Sequence, residues 1–365
     1  MKRIDLYLGR AVIAGALLAW AVVVSLDAVF AFLGEVGDIG RGSYVLADVL
    51  RYVALTLPAR AYQSFPMAAL IGALLGLGSL AAHGELDAMR LAGCSPLRLA
   101  RAVLQAGVLL LLLAVLVGEG WAPGWQQLAG RLRTSAIFGD ASVQTDSGFW
   151  VHDGERLIQV GEASADGSLQ NLVVYELGRG TRLDSVTAVA SATYRKGVWQ
   201  LADVRSTLFE ADATEVRLRP EARWPRLIDP RLARLLTRDA GTLSLPQLGR
   251  YIAYLEDNGG EVGIYRLRYW QRLLFPLTVF AMLLLALALV LGRLGRAGGG
   301  LRLLAAVVAG LLFKLLTDLV AQAGIVYGMP PWLSAGLPSL LVLLSGLWLL
   351  GGGHAAAGLH ARTDA

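Results

Sequence analysis

The chain has 365 residues, 55% of them hydrophobic and 17% charged, with 33 Lys and Arg against 28 Asp and Glu for a formal net charge of +5. A mean hydropathy of +0.55 excludes an ordinary soluble domain, and the share of charge excludes a chain that lies in lipid throughout. What remains is an α-helical membrane protein with a large water-exposed part.

Apolar runs long enough to cross about 30 Å of hydrocarbon, roughly 20 residues each, occur near 11–33, 57–81, 102–120, 271–292, 301–323 and 332–350, which predicts six transmembrane helices. Lys2 and Arg3 ahead of the first run resemble the start of a secretion signal, but the run exceeds the usual apolar length of such signals and reads as a retained anchor. The adjoining 34–56 loop mixes Arg41 and Arg51 with Glu35, Asp38 and Asp48. The second run contains "GALLGLG"; it lacks the Gly-Lys-Ser/Thr ending of a phosphate loop, whereas Gly72 and Gly76 stand at the Gly-x-x-x-Gly spacing that lets helix backbones pack closely.

Between the second and third runs lies "GELDAMRLAGCSPLRLARAVL". Leu86 and Met89 recur at helical spacing, Gly93 offers a stop, and Ser95 with Pro96 opens a new helix. This pattern predicts a short helix near 84–93 and then a sharp elbow. Glu85 and Asp87 suit the positive end of the helix dipole, with Arg90 one turn on. Two acids at its start disfavour a helix lying on an anionic leaflet and favour docking in a protein groove with basic and apolar lining.

Residues 121–270 lose the long apolar runs. Asp153-Gly154, Asp166-Gly167 and Lys196-Gly197 punctuate short partly alternating segments, which predicts antiparallel strands. Amphipathic helical connectors flank them, "PGWQQLAGRLRTSA" before and "SLPQLGRYIAYLEDNGG" after, the second with Ser244 as N-cap and Gly259 at its end. The division is therefore 1–120 for helices one to three, 121–270 for an inserted β domain, 271–352 for helices four to six and 353–365 for a tail. Arg10, Arg90, Arg98, Arg101, Arg293, Arg296 and Arg302 collect on one side, so the positive-inside rule places both termini in the cytoplasm and the inserted domain outside. Trp121, Trp125, Tyr265, Tyr269, Trp270, Tyr327 and Trp332 fall at the outer ends, as interfacial aromatics should.

Catalytic signatures are missing. His83, His152, His354 and His360 have no metal-ligand spacing, no nucleophile elbow or zinc signature is present, and the lone Cys94 allows no intramolecular disulfide. Charges within the apolar runs carry more information, since each costs about 2.5–3.5 kcal/mol at a helix centre on insertion scales. Asp27 in the first run and Lys314 with Asp318 in the fifth lie at similar depth. Lys314 and Asp318, four apart, could answer each other on one helix face; the alternative is a polar cavity bordered by runs one and five.

"GSYVLADVLRYVALTLPARAYQSFPMAALIGALLGLGSLAAHGELDAMRLAGCSPLRLARAVL", "GEGWAPGWQQLA" and "VYGMPPWLSAGLPS" together resemble the LptF/LptG permease family of the lipopolysaccharide exporter, over nearly the whole chain. The resemblance implies a permease subunit of an ABC-type exporter that pairs with LptF, is driven by a dimer of the ATPase LptB, and is joined by LptC. It implies no cofactor on this chain, with ATP and Mg used by the partner ATPase. The inserted domain would be a periplasmic β-jellyroll continuing into a bridge toward the outer membrane. Lipopolysaccharide would enter a central cavity through gates made by span one of one permease and span five of the other. Glu85, Leu86, Asp87, Met89 and Arg90 would belong to the coupling helix that docks in LptB, with Glu85 at the family's acidic position. Some relatives carry basic residues just before the Gly-x-Gly-Ser-Tyr stretch, where this chain has Gly37 and Asp38; Arg41 is then the nearest basic candidate for a lipid phosphate, and its alternative role is a solvated loop charge. Two other classes compete: a proton-driven transporter using Asp27, Lys314 and Asp318 as a relay, and a membrane enzyme using carboxylates of the inserted domain. Co-purification of an ATPase separates the three.

Overall fold

The computed structural model describes residues 3–138, 149–153, 156–163, 168–177, 183–195, 197–209, 214–225, 227, 243–257, 262–292 and 298–360. The chain divides into two compact units, Met1–Gly37 with Val49–Ala129 and Gly263–Ala365, and Asp38–Asp48 with Gly130–Val262.

The first unit is helical. Its elements are α1 (Arg3–Val36), α2 (Leu46–Ala82), α3 (Glu85–Leu91), α4 (Pro96–Val115), a π-helical segment (Leu116–Trp121) leading into α5 (Ala122–Phe138), and later α7 (Gly263–Leu273), α8 (Phe275–Leu291), α9 (Gly299–Val326) and α10 (Pro331–His360). Among the described residues five helices are long and apolar enough to span a membrane, and α7 with α8, bent by 50°, makes a sixth if the pair is one span. The bend falls inside the expected 271–292 run: the helix breaks at Leu274, and Pro276, without an N–H, fits only the first turn of the helix that restarts there. The third run is also less regular than its composition suggests, because α4 passes into the π-helical turns around Gly118 and Gly120. At the C-terminus the backbone stays helical to His360, well into the segment expected to be a tail.

Small residues bring α1 against α2. A Cβ on Gly72 would lie 2.3 Å from the Ala16 Cα, one on Gly76 2.4 Å from the Ala11 carbonyl oxygen, and one on Gly15 2.3 Å from the Gly72 carbonyl oxygen. The Gly-x-x-x-Gly pair thus meets a third glycine across the contact. Around it Leu8, Val12, Phe65, Leu70, Leu74, Leu99, Val103, Val279, Met282 and Leu283 form one buried core shared by α1, α2, α4 and α8. Large apolar side chains elsewhere on these helices, such as Leu18, Leu319 and Trp348, are exposed, as lipid-facing positions should be. Arg302, expected among loop charges, instead stands in the first turn of α9, buried against Gly78 of α2.

The second unit carries the inserted sheet: β1 (Phe149–Asp153), β2 (Arg156–Ala163), β3 (Leu169–Leu177), β4 (Leu183–Arg195), β5 (Val198–Phe209) and β6 (Thr214–Trp224), antiparallel and ordered consecutively. The expected turn positions separate β1 from β2, β2 from β3 and β4 from β5. Asp153 pairs with Arg156 and Arg195 with Val198, leaving two-residue turns, and Gly197 adopts the positive φ of +85° that such a turn requires. Lys196, Gly154, Asp166 and Gly167 lie outside the described residues, as do Gly259, Arg293 and Arg296.

A crease crosses this sheet. The ladders skip Gly161 and Asn171 between β2 and β3, Asn171 and Ala190 between β3 and β4, Ala190 and Asp203 between β4 and β5, and Asp203 and Pro220 between β5 and β6. Asn171 and Asp203 have positive φ, 53° and 52°, and Gly161 has no room for a Cβ against Asn171. Across the row the buried face changes parity, from Leu169 to Leu172 in β3, from Val189 to Ala192 in β4 and from Leu201 to Val204 in β5. Each strand gains one residue at the same level, so pairing stays in register while the sheet bends. Pro220 is tolerated because β6 is an edge. After the sheet, α6 (Leu245–Asp257) opens with Gln247 accepting the Ser244 N–H at 3.0 Å, the reciprocal half of a capping box, and buries Leu248, Tyr251 and Ile252.

Candidate functional site: a charged cleft among apolar helices

In the helical unit, α1, α2 and α9 enclose a cleft of about 390 Å³ lined by Asp27, Arg60, Gln63, Ser64, Lys314, Thr317 and Asp318 together with Val23, Phe30, Met67 and Phe313. All three charges singled out within the apolar runs meet here, and a fourth joins them. Arg60 Nη1 lies 3.5 Å from Asp27 Oδ1, and its Nε donates to Thr56 Oγ1 at 3.3 Å. Lys314 Nζ donates to Asp318 Oδ2 at 3.0 Å. Lys314 and Asp318 thus answer each other on the α9 surface and also line the cleft. The pair sums to no net charge, but the two partners remain 68% and 59% exposed, so their polar atoms stay open to the cleft.

Arg60 escaped the sequence reading although it obeys the same cost rule as the other three. The second apolar run begins near 57 in the sequence, which makes Arg60 a boundary charge there; α2 in fact starts at Leu46. Pro58 and Pro66 interrupt its hydrogen-bond ladder beside the cleft. One turn before Pro66, the Trp20 indole and the Ser64 hydroxyl both donate to the Ala61 carbonyl, at 2.7 and 3.3 Å, the kind of side-chain support that makes proline tolerable in a membrane helix.

The short helix expected near 84–93 is α3, flanked by Gly84 and Gly93 at positive φ, 74° and 87°. Ser95 Oγ accepts the Arg98 N–H at 3.3 Å and Pro96 occupies the first turn of α4. Leu86 is buried and Met89 packs on the core, so these two hold α3 to its own chain rather than facing outward. The outward side consists of Asp87, Ala88, Arg90 and Leu91; Leu91, 90% exposed, lies off the Leu86/Met89 stripe, so that stripe gives no sign of it. Glu85 is half-buried and lies beside Tyr7 of α1, while Arg98 of α4 lies 3.8 Å from Asp5. The first turns of α1 thus grip both arms of the elbow.

Arg41 belongs to the other unit. Gly40 and Gly42 take positive φ, 92° and 58°, folding "DIGRGSY" so that Ser43 N donates to the Ala136 carbonyl at 2.7 Å and Tyr44 is buried. A Cβ on Gly42 would fall 2.3 Å from the Ile137 carbonyl oxygen, which explains glycine there. Asp38 sits between Arg41 at 2.6 Å and Arg133 at 2.5 Å. Arg41 is therefore no isolated loop charge: its guanidinium and that of Arg133 both contact the Asp38 carboxylate. Arg133, far from Arg41 in sequence, gave no sequence signal for this meeting.

Among the described residues no group of His, Cys, Asp and Glu side chains could hold a metal ion.

A set of membrane-spanning helices interrupted by an antiparallel β insert, with a charged cleft and an exposed elbow, is the architecture of a polytopic permease subunit. The family model described as lipopolysaccharide export system permease LptF/LptG matches residues 6–351. The chain is 31% identical over 350 residues to the lipopolysaccharide export system permease protein LptG of Escherichia coli (strain K12), covering 95% of this chain and 97% of that protein. It is 28% identical over 352 residues to the protein of the same name from Haemophilus influenzae, covering 96% and 98%. This chain belongs to the LptF/LptG permease family.

Proposed function

We propose that the chain is the LptG-type permease of a lipopolysaccharide export system, extracting lipopolysaccharide from the periplasmic leaflet of the inner membrane and passing it to a periplasmic bridge. The cleft among α1, α2 and α9 carries this reading. A substrate with anionic head groups and acyl chains needs a route that is charged at one level and apolar beside it, and Arg60 and Lys314 supply cations where Val23, Phe30, Met67 and Phe313 supply the apolar wall. Charge-assisted bonds to phosphate strengthen when water is partly excluded. The Arg41–Asp38–Arg133 group is a second candidate for a phosphate contact. In this reading α1 and α9 are gate helices, each facing its counterpart in LptF.

The partners follow from the family. A dimer of the ATPase LptB would engage the α3 elbow through Asp87, Arg90 and Leu91, with Glu85 fixing the elbow's angle, and LptC would join from the periplasmic side. The chain itself is a transport subunit; ATP and Mg belong to the partner. Both termini would be cytoplasmic and the β insert periplasmic, as the arginine distribution favours.

The test is site-directed photocrosslinking of lipopolysaccharide in the assembled transporter. Probes at Gln63 and Thr317 should capture lipopolysaccharide. Arg60→Glu and Lys314→Glu should each lower that yield at least about tenfold, consistent with loss of one charge-assisted contact. Unchanged yields in both variants would remove the cleft from the route. Transport that persists in vesicles lacking any ATPase would instead favour a proton-driven carrier.

A further inference from the structure

A second, larger cavity of about 680 Å³ lies away from the charged cleft, between α4 and α8. Its walls are apolar, from Ala100, Leu104 and Val108 on α4 and Phe280 and Leu284 on α8, and its polar residues, Ser95, Arg98 and Arg101, stand at the N-terminal end of α4, with Gln105 further along. Beside it, at Gly107, the two helices touch so closely that a Cβ would fall 2.5 Å from Leu283 Cδ1 and 3.4 Å from the Phe280 ring. The arginines stand at the end of the groove nearest the N-terminus of α4.

Length and charge together select the occupant. From Arg98 to Val108 the helix rises about 15 Å at 1.5 Å per residue, half of the roughly 30 Å hydrocarbon thickness, so the slot is as deep as one leaflet. Arg98 is partly answered by Asp5, but Arg101 is exposed and the positive end of α4 points the same way. We propose that this groove binds an anionic phospholipid of the leaflet at the α3–α4 end, its head group on Arg101 and Arg98 and an acyl chain along Leu104 and Val108 toward Phe280. A zwitterionic lipid would fill the apolar slot equally well but would gain less from the arginines. A lipid so placed would brace the first turns of α4, which carry the elbow.

Native mass spectrometry of the assembled transporter in detergent, titrated with dioleoyl phosphatidylglycerol or dioleoyl phosphatidylcholine, tests the assignment. The wild type should retain phosphatidylglycerol at least about tenfold more strongly. Arg101→Gln should erase that preference, Arg101→Lys should keep most of it, and Val108→Trp, which fills the slot without touching the arginines, should lower retention of both lipids. Both sites are exposed, and melting without added lipid should match the wild type. Equal retention of the two lipids by the wild type, or unchanged phosphatidylglycerol binding in Arg101→Gln and Val108→Trp, would overturn the proposal. So would crosslinking of Leu104→Cys to another protein chain in the assembled transporter, since a protein helix would then own the groove.

Discussion

Arg60 lies well inside α2, which starts at Leu46, about four helical turns from its beginning, and its guanidinium and the Asp27 carboxylate are 30% and 37% exposed. At that exposure the pair is worth on the order of 1 kcal/mol, well below a fully buried one. A double-mutant cycle of Arg60→Leu and Asp27→Leu, read by thermal melting of the purified protein, should return a coupling of about that size, with each single change costing more than the pair. Additive effects would mean that the two do not interact. Glu85 permits a sharper comparison, because Tyr7 of α1 lies beside its carboxylate. Glu85→Ala should uncouple ATP turnover from lipopolysaccharide release in the reconstituted transporter. If Glu85 acts by fixing the angle of α3, Tyr7→Phe should reproduce the defect in part; wild-type behaviour of Tyr7→Phe beside a defective Glu85→Ala would assign Glu85 to direct docking instead.

At the scale of elements, two contacts have no slack. The α1–α2 crossing places backbone where a Cβ of residue 72 would go, and backbone cannot yield as a flexible side chain can, so Gly72→Leu should cost more than the usual overpacking penalty of about 1–3 kcal/mol. Loss of the folded fraction on size-exclusion chromatography is the readout, and a wild-type melting temperature would contradict the crossing. The sheet crease is gentler. Asp203 holds a φ of 52°, which aspartate tolerates, glycine prefers and a β-branched residue resists. Asp203→Gly should leave stability within about 0.5 kcal/mol and Asp203→Val should lower it by about 1–2 kcal/mol; the reverse order in thermal melting would contradict the crease. The same crease explains why residues 149–224 alternate so imperfectly. Strands read with a period of two change face once each, so no single alternation fits a whole strand, and β6, an exposed edge rich in charge, never announces itself.

For the whole molecule, the arginine distribution puts the elbow and the sheet on opposite sides of the membrane, and labelling tests it. Leu91 and Leu218 are 90% and 69% exposed, one on the elbow and one on the sheet. Because Cys94 is the single native cysteine and is buried, a Cys94→Ala background leaves only the introduced thiol to react. Leu218→Cys should be labelled in intact cells by a membrane-impermeant maleimide, and Leu91→Cys only after the inner membrane is opened. The opposite pattern would invert the topology and with it the proposed direction of transport.

The number of spans, the inserted domain and the α3 elbow were legible in the sequence, because each depends on local quantities: the length of an apolar run, glycine at positive φ, a Ser-Pro helix start. Asp27, Lys314 and Asp318 were legible for a related reason, since the cost of charge in hydrocarbon does not depend on the neighbours. Tertiary structure alone decided who those neighbours are. It brought Arg60 to Asp27, Arg133 to Asp38 and Tyr7 to Glu85, turned Leu86 and Met89 inward, and opened the α4–α8 groove beside Gly107. Those are contacts between residues tens of positions or more apart, set by how helices cross and sheets bend, and no periodicity within one segment encodes them.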